Sequence, residues 1–372
     1  MSMNTAVSAQ AAVLRNTGGP LQLENIEVGP PAADEVLVRM VGVGICHTDI
    51  VCRDGFAVQP PIVLGHEGSG IVESIGSAVT SLKVGDRVVL SFNSCGQCPS
   101  CADDHPATCA QFLPFNFAGV RLADGSTPLA KNGEPVKGMF FGQSSFATFA
   151  IAREVNTVKV PDAVPLELLG PLGCGVQTGA GAVINSLAPA QKDSLVIFGG
   201  GAVGLSALMG AVAIGVSRIF VVEPNPARRE LAKELGAHYV LDPRDGSNIV
   251  EAIQQTTGGG VKFAIDTTGI PAVIGQAVGC VVSGGTVGMV GVPAPTGQFP
   301  FTPLELLIKG VTLRPISEGD SNPKVFIPKM IEMYKQGIFP FDKLVTKFEF
   351  SKINEAMHAA ETGAVIKPVI VF

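Results

Sequence analysis

From residue 195 to residue 316 the chain repeats a short apolar run followed by a helical stretch, and this repetition constrains the fold more than any other feature. Leu195–Phe198, Ile219–Val222, Tyr239–Leu241, Lys262–Asp266, Thr286–Val290 and Val311–Ile316 read as six strands. Ala202–Ile214, Pro226–Leu235, Asn248–Gln255, Ala272–Val278 and Thr302–Ile308 lie between them and read as helices. Such alternation makes a parallel sheet covered on both faces, so a six-stranded, doubly wound α/β domain is expected. Ser194–Ser217 holds no charged residue, and a hydropathy window alone would mark it as a membrane span. Three consecutive glycines, Gly199, Gly200 and Gly201, interrupt it; a strand, a turn and a buried helix account for it better.

Gly199-x-Gly201-x-x-Gly204 falls between the first strand and the first helix. A dinucleotide site needs glycine there for a tight turn, for close approach of the backbone to pyrophosphate and for helix–strand packing. The helix N-terminus then offers free N–H groups to the phosphates. Glu223 ends the second strand, roughly 20 residues on, where a carboxylate accepts hydrogen bonds from the adenosine ribose. Its charge opposes a 2′-phosphate, which favours NAD over NADP, although Arg228 and Arg229 follow closely.

Residues 1–180 carry a different pattern. Glu35–Val43, Ser69–Ser74, Arg87–Ser91 and Phe146–Ala152 read as short strands punctuated by Gly and Pro. Within this part, Cys95-x2-Cys98-x2-Cys101-x7-Cys109 offers four thiolates on a polar loop. Four soft ligands with no open position suit a closed tetrahedral zinc, with an iron–sulfur cluster as the minor alternative. His105 lies inside this lobe, but the four cysteines already complete a tetrahedron. Cys46 in GICHTD, His66 in LGHEGSG and Cys174 in GPLGCGVQTG supply two thiolates and one imidazole. That set leaves a fourth position open, as a catalytic zinc requires.

On GICHTD, GHEGSGIVESIG, the four-cysteine lobe, GPLGCGVQTGAGAV and GGGAVG, the chain resembles the zinc-dependent medium-chain alcohol dehydrogenases, most of all the aryl- or benzyl-alcohol type. The resemblance implies a discontinuous, mainly-β GroES-like catalytic domain, residues 1–180 and 317–372, and a six-stranded parallel Rossmann domain, residues 181–316. It implies two zinc ions per subunit, NAD as cofactor, and hydride transfer from a primary, benzyl-type alcohol to give the aldehyde, reversibly. Cys46, His66 and Cys174 would hold catalytic zinc, with Glu67 behind the metal and Asp49 orienting the His66 ring. Thr48 would take the alcohol proton. The position where some relatives carry a relaying histidine is Val51 here, so ribose and water are the expected exit. His47 and Lys367 would meet the pyrophosphate, and Thr178 and Val203 would back the nicotinamide. Phe92, Phe117 and Phe146 would line the substrate slot, beside the apolar insert Gln111–Phe117.

The alternatives are an aliphatic, polyol or S-hydroxymethylglutathione dehydrogenase, or a nucleotide-binding relative without activity. Cys174 argues against the polyol reading, intact zinc ligands against the inactive one, and a glutathione substrate would need cationic groups that Gln111–Phe117 lacks. Cys52, Cys280, His238 and His358 carry no motif. A net charge of −6 without a basic run speaks against nucleic acid and anionic membranes. The N-terminus lacks a secretory pattern, so a cytoplasmic location is expected. A homodimer or homotetramer is expected, with Thr286–Gly291 and Phe299–Pro315 as the interface.

Overall fold

The structure, a computed structural model, describes residues 6–294 and 296–372. The chain divides into two units: Met1–Cys174 with Asn322–Lys335 and Asp342–Phe372, and Gly175–Ser321 with Gln336–Phe341. The first is discontinuous, as the sequence predicts. The divisions fall at Cys174/Gly175 and Ser321/Asn322, where the pattern placed them at 180/181 and 316/317. The first shift has a packing cause. Helix Gly175–Gly181 lies against helix Ala202–Ala213 so closely that a Cβ on Gly179 would sit 2.0 Å from the Val203 carbonyl oxygen.

The second unit holds a six-stranded sheet in the order Tyr239–Leu241, Arg218–Val222, Ser194–Phe198, Val261–Asp266, Val281–Met289, Thr312–Pro315. Every neighbouring pair is parallel. The strand starting the fold is central, so its C-terminal end lies where the strand order reverses and ligands of such sheets bind. Apolar runs form these strands because both faces are covered: Val196, Phe198, Phe220, Ala264 and Val287 share one core. Asn225 and Asn248 cap the helices Pro226–Glu234 and Ile249–Thr257, their side-chain oxygens accepting from N–H groups of the first turn.

Among the described residues, the first unit contains two sheets. One, in order, is Ile62–Val63, Val7–Leu14, Leu21–Val28, Leu129–Lys131 and Glu134–Val136. The other runs Thr157–Lys159, Arg87–Leu90, Glu67–Ile75, Glu35–Gly44, Lys367–Val371 and Val345–Glu349, with Phe149–Arg153 also on Glu35–Gly44. The hairpin Val7–Leu14 with Leu21–Val28 is absent from the sequence reading. Its first strand is alanine-rich, and an inward position of its second is Glu24, which blurs the alternation. Arg15 and Lys131 both pair with that carboxylate and hold it down to about 2, the Arg15 hydrogen bonds contributing most. Among the described residues no helix is long and apolar enough to cross a membrane, and Ser194–Ser217 is a strand, a turn and a helix.

Candidate metal and dinucleotide sites

Three separate stretches of the first unit converge on one cluster. Strand Glu35–Gly44 leads into Cys46, the N-cap of helix His47–Arg53. His66 immediately precedes strand Glu67–Ile75, and Cys174 follows the turn Gly170–Gly173. The sulfurs of Cys46 and Cys174, a ring nitrogen of His66 and a carboxylate oxygen of Glu67 all lie within 4.8 Å of one another. Glycine makes the approach possible, since a Cβ on Gly44 would fall 1.9 Å from Glu67 Oε2. Asp49 organises the group from a fully buried position. Its carboxylate accepts from the Cys46 N–H at 2.9 Å and the Gly65 N–H at 3.0 Å, and meets His66 Nδ1 at 3.0 Å.

These residues fit a zinc ion. With Nδ1 engaged by Asp49, His66 Nε2 is buried and has no hydrogen-bond partner, a costly arrangement unless a metal takes the lone pair. Cys46 titrates well below the ordinary thiol range, chiefly through its contact with Cys174, with burial opposing and Lys367 assisting. Burial lowers the His66 pKa, but the Asp49 carboxylate and Cys46 more than reverse this.

Lys367 is placed differently from the expected pyrophosphate contact. Its ammonium is buried and donates to both Glu67 oxygens at 2.9 Å and to the Ile45 carbonyl at 3.1 Å. Burial lowers its pKa, but Glu67 and Cys46 more than reverse this and hold it charged. In this structure Lys367 therefore neutralises the acidic side of the metal cluster. His47 is the first residue of its helix and is exposed, while Thr48 Oγ1 lies 3.8 Å from Cys46 Sγ.

In the second cluster Cys95, Cys98, Cys101 and Cys109 bring four sulfurs within 4.8 Å of one another. Cys95–Cys101 and Cys98–Cys101 sulfur separations are 3.8 and 3.5 Å. A tetrahedron with zinc–sulfur bonds of about 2.3 Å has edges of about 3.8 Å, so the four thiols are already spaced for the ion. Backbone N–H groups of Cys95 and Gln111 donate to Cys109 Sγ, and those of Gln97 and Cys98 to Cys95 Sγ. Similar N–H donors from Ala110 and Cys101 hold the Cys98 thiol down to about 6. His105 is exposed and is not part of the cluster.

In the second unit, Gly199 has φ of +99°, and a Cβ on Gly204 would lie 1.8 Å from the Gly199 carbonyl oxygen. Gly201 caps helix Ala202–Ala213, and Glu223 accepts from the Gly200 N–H at 2.5 Å and the Asn225 N–H at 2.7 Å. The glycine turn and the acidic residue thus form one hydrogen-bonded unit. Arg229 donates to the carbonyls of Glu223 and Pro224 and pairs with Asp242, so its charge is already used; Arg228 is partly buried on the same turn. Val203 is partly buried in the first turn of the helix, and Thr178 Oγ1 donates to Glu318 at 3.3 Å. Gly204→Ala must push backbone against backbone. It is expected to cost about 2–3 kcal/mol in chemical unfolding and to weaken NADH binding, followed by fluorescence titration.

The phenylalanines divide in a way that the sequence does not reveal. Phe146 is fully buried, its ring against Gly65 and its N–H donating to the Leu64 carbonyl; it braces the His66 loop and corrects the expectation of a substrate wall. Phe117 is half-buried and touches Phe56, Phe140 and Phe141, while Phe92 is buried beside Phe112. Phe140 and Phe141, which no motif marks, flank His66 with ring centroids 5.6 and 4.5 Å away.

The alcohol dehydrogenase GroES-like domain matches residues 32–162, and the zinc-binding dehydrogenase domain matches residues 202–336. A geraniol dehydrogenase of Castellaniella defragrans is 61% identical over 98% of both chains. Among solved structures, an alcohol dehydrogenase zinc-binding domain protein from Burkholderia ambifaria is 47% identical, with a TM-score of 0.96 over 99% of each chain. Benzyl alcohol dehydrogenase from Acinetobacter calcoaceticus is 45% identical, with a TM-score of 0.95 over 98% of this chain and 99% of its own.

Proposed function

Because the chain belongs to the zinc-binding alcohol dehydrogenases with a GroES-like domain, we propose that it oxidises hydrophobic primary alcohols to aldehydes, reversibly, with NAD and two zinc ions per subunit. The observation that carries this reading is the cluster of Cys46, His66 and Cys174 with an unpartnered, buried His66 Nε2. Lewis acidity at the substrate oxygen and reversible hydride acceptance are the chemistry that zinc and NAD supply when bound. Cys46, His66 and Cys174 would hold the metal, Asp49 fixes the imidazole, and Lys367 neutralises Glu67 beside them. Thr48 Oγ1 would accept the alcohol proton as it releases its own, and since Val51 carries no titratable group the released proton leaves to water. Glu223 at the glycine turn favours NAD.

The substrate is proposed to carry a double bond or an aromatic ring next to the carbinol carbon. Geraniol and benzyl alcohol, the alcohols that name two of the similar dehydrogenases, share that feature. Phe56 and Phe117 supply an apolar surface with exposed area beside the rings that flank His66. Initial rates with NAD should give geraniol and benzyl alcohol at least about 100-fold higher kcat/KM than ethanol or sorbitol, since each buried methylene contributes roughly 10- to 200-fold. Phe117→Ala should lower kcat/KM roughly 10-fold for the two large alcohols and leave ethanol little changed. Equal rates on all four alcohols would discard the substrate assignment and keep the dehydrogenase.

We also propose self-association through strand Thr312–Pro315, which ends its sheet, and helix Pro303–Lys309, where Leu304, Leu307 and Ile308 are exposed. An uncovered edge beside such a surface favours pairing with a second copy. All eight cysteines are free thiols.

A further inference from the structure

The turn Phe140–Ser145 has a backbone that its side chains do not favour. Phe141 has φ of +50° and Ser144 φ of +46°, both in the left-handed region, and both residues are buried. Such conformations persist only where the surroundings over-determine them, and they gather at functional sites. Here the surroundings are specific. Asn156 Nδ2 donates to the carbonyls of Phe141 and Gly142 at 3.2 and 3.3 Å. Ser144 Oγ accepts from the Phe140 N–H at 2.9 Å and donates to the Val63 carbonyl at 2.6 Å. Gln143, fully buried, accepts from the Gly68 N–H and donates from Nε2 to the His66 carbonyl at 2.9 Å and the Ser91 carbonyl at 3.0 Å.

The strained turn places two rings against His66. Phe141 stacks on the imidazole face at 4.5 Å and 28°, and Phe140 meets it edge-on at 5.6 Å and 87°. The Asp49 contact fixes one ring nitrogen but leaves the imidazole free to rock about that hydrogen bond. A ring on its face and another at its edge remove that freedom. Gln143 meanwhile holds the main chain of His66 itself.

We propose that Phe141, supported by Gln143, is a positioning residue for the catalytic metal: it acts through His66, keeping Nε2 as the nitrogen presented to zinc. The proposal rests on the assignment of that zinc to Cys46, His66 and Cys174. Partners that orient a metal-bound histidine typically contribute roughly 10- to 100-fold to metal affinity.

The test measures zinc release from the purified holoenzyme to an excess of chromophoric chelator, with Cys46→Ser identifying the phase that belongs to the catalytic ion. Phe141→Leu should release that ion roughly 10- to 100-fold faster, with the phase of the four-cysteine lobe unchanged. Phe141→Tyr, which keeps a ring on the imidazole, should restore the slow rate. In cobalt-substituted protein the visible absorption should shift in Phe141→Leu and return in Phe141→Tyr, which a purely structural role would not produce. If Phe141→Leu does not fold, Gln143→Met, which removes the donor to His66, must show the same phase-selective acceleration. Release indistinguishable from wild type in the folded variants would overturn the proposal. A Cys46→Ser protein that keeps both ions would instead sink the zinc assignment, and the proposal with it.

Discussion

Cys174→Ser is expected to abolish turnover to within about one part in 1,000 while the protein stays folded. The reason is charge as well as geometry. The cluster holds two sulfurs, one imidazole and the Glu67 carboxylate around a buried point, with Lys367 balancing the negative side. Serine keeps the size but replaces a thiolate with a neutral hydroxyl, so both metal affinity and the polarity at the ion change. A Lewis acid contributes several kcal/mol to such a reaction, and each 1.36 kcal/mol is about tenfold in rate, so a loss of at least about 1,000-fold follows. Elemental analysis should show one zinc per chain in place of two. Asp49→Asn should give an intermediate phenotype, roughly 10- to 100-fold weaker metal retention, because the imidazole remains but loses its charged partner. Full activity in Cys174→Ser would remove the three-ligand site from the mechanism.

The second large effect is expected on stability. Cys101→Ser should lower the thermal midpoint by at least about 10 °C and also leave one zinc per chain, this time the catalytic one. The lobe has little else to hold it. Its helical pieces are Pro99–Ala102 and Pro106–Thr108, and only Ala107 and Cys109 of residues 95–109 are buried. Four thiols and their N–H···S bonds therefore carry its order, and removing one leaves three ligands for an ion that takes four. Limited proteolysis should cut the variant within residues 95–111 before any other segment. A Cys101→Ser protein with unchanged melting and two zinc ions would refute the structural assignment.

Much of this chain is legible without coordinates, and the legible parts share a physical property: their information is local. Strand–helix alternation from Leu195 onward follows from burial of both sheet faces, and each of the six strands lies in the parallel sheet. The four cysteines lie within one loop, so spacing alone brings them together. Gly199, Gly201 and Gly204 are needed by a turn that they themselves form, and Glu223 is reached by a single crossover. The return of the C-terminal segment, residues 317–372, to the first unit is also expected, and Lys367–Val371 is a strand of that unit.

Contacts between residues far apart, whose side chains have more than one use, are fixed by the packed chain alone. Lys367 and Glu67 are 300 positions apart, and a lysine near the C-terminus serves a phosphate or a buried carboxylate equally well until the sheet closes. Phe146 and Phe141 are the same residue type five places apart. One braces a glycine from within the core and the other stacks on the His66 imidazole, because the left-handed residues Phe141 and Ser144 turn the chain between them. Apolar side chains are interchangeable to composition and periodicity, so their roles are set by what the packed chain places beside them. Which atoms could meet metal and dinucleotide follows from residue type and spacing; which neighbours hold those atoms in place follows from the packing.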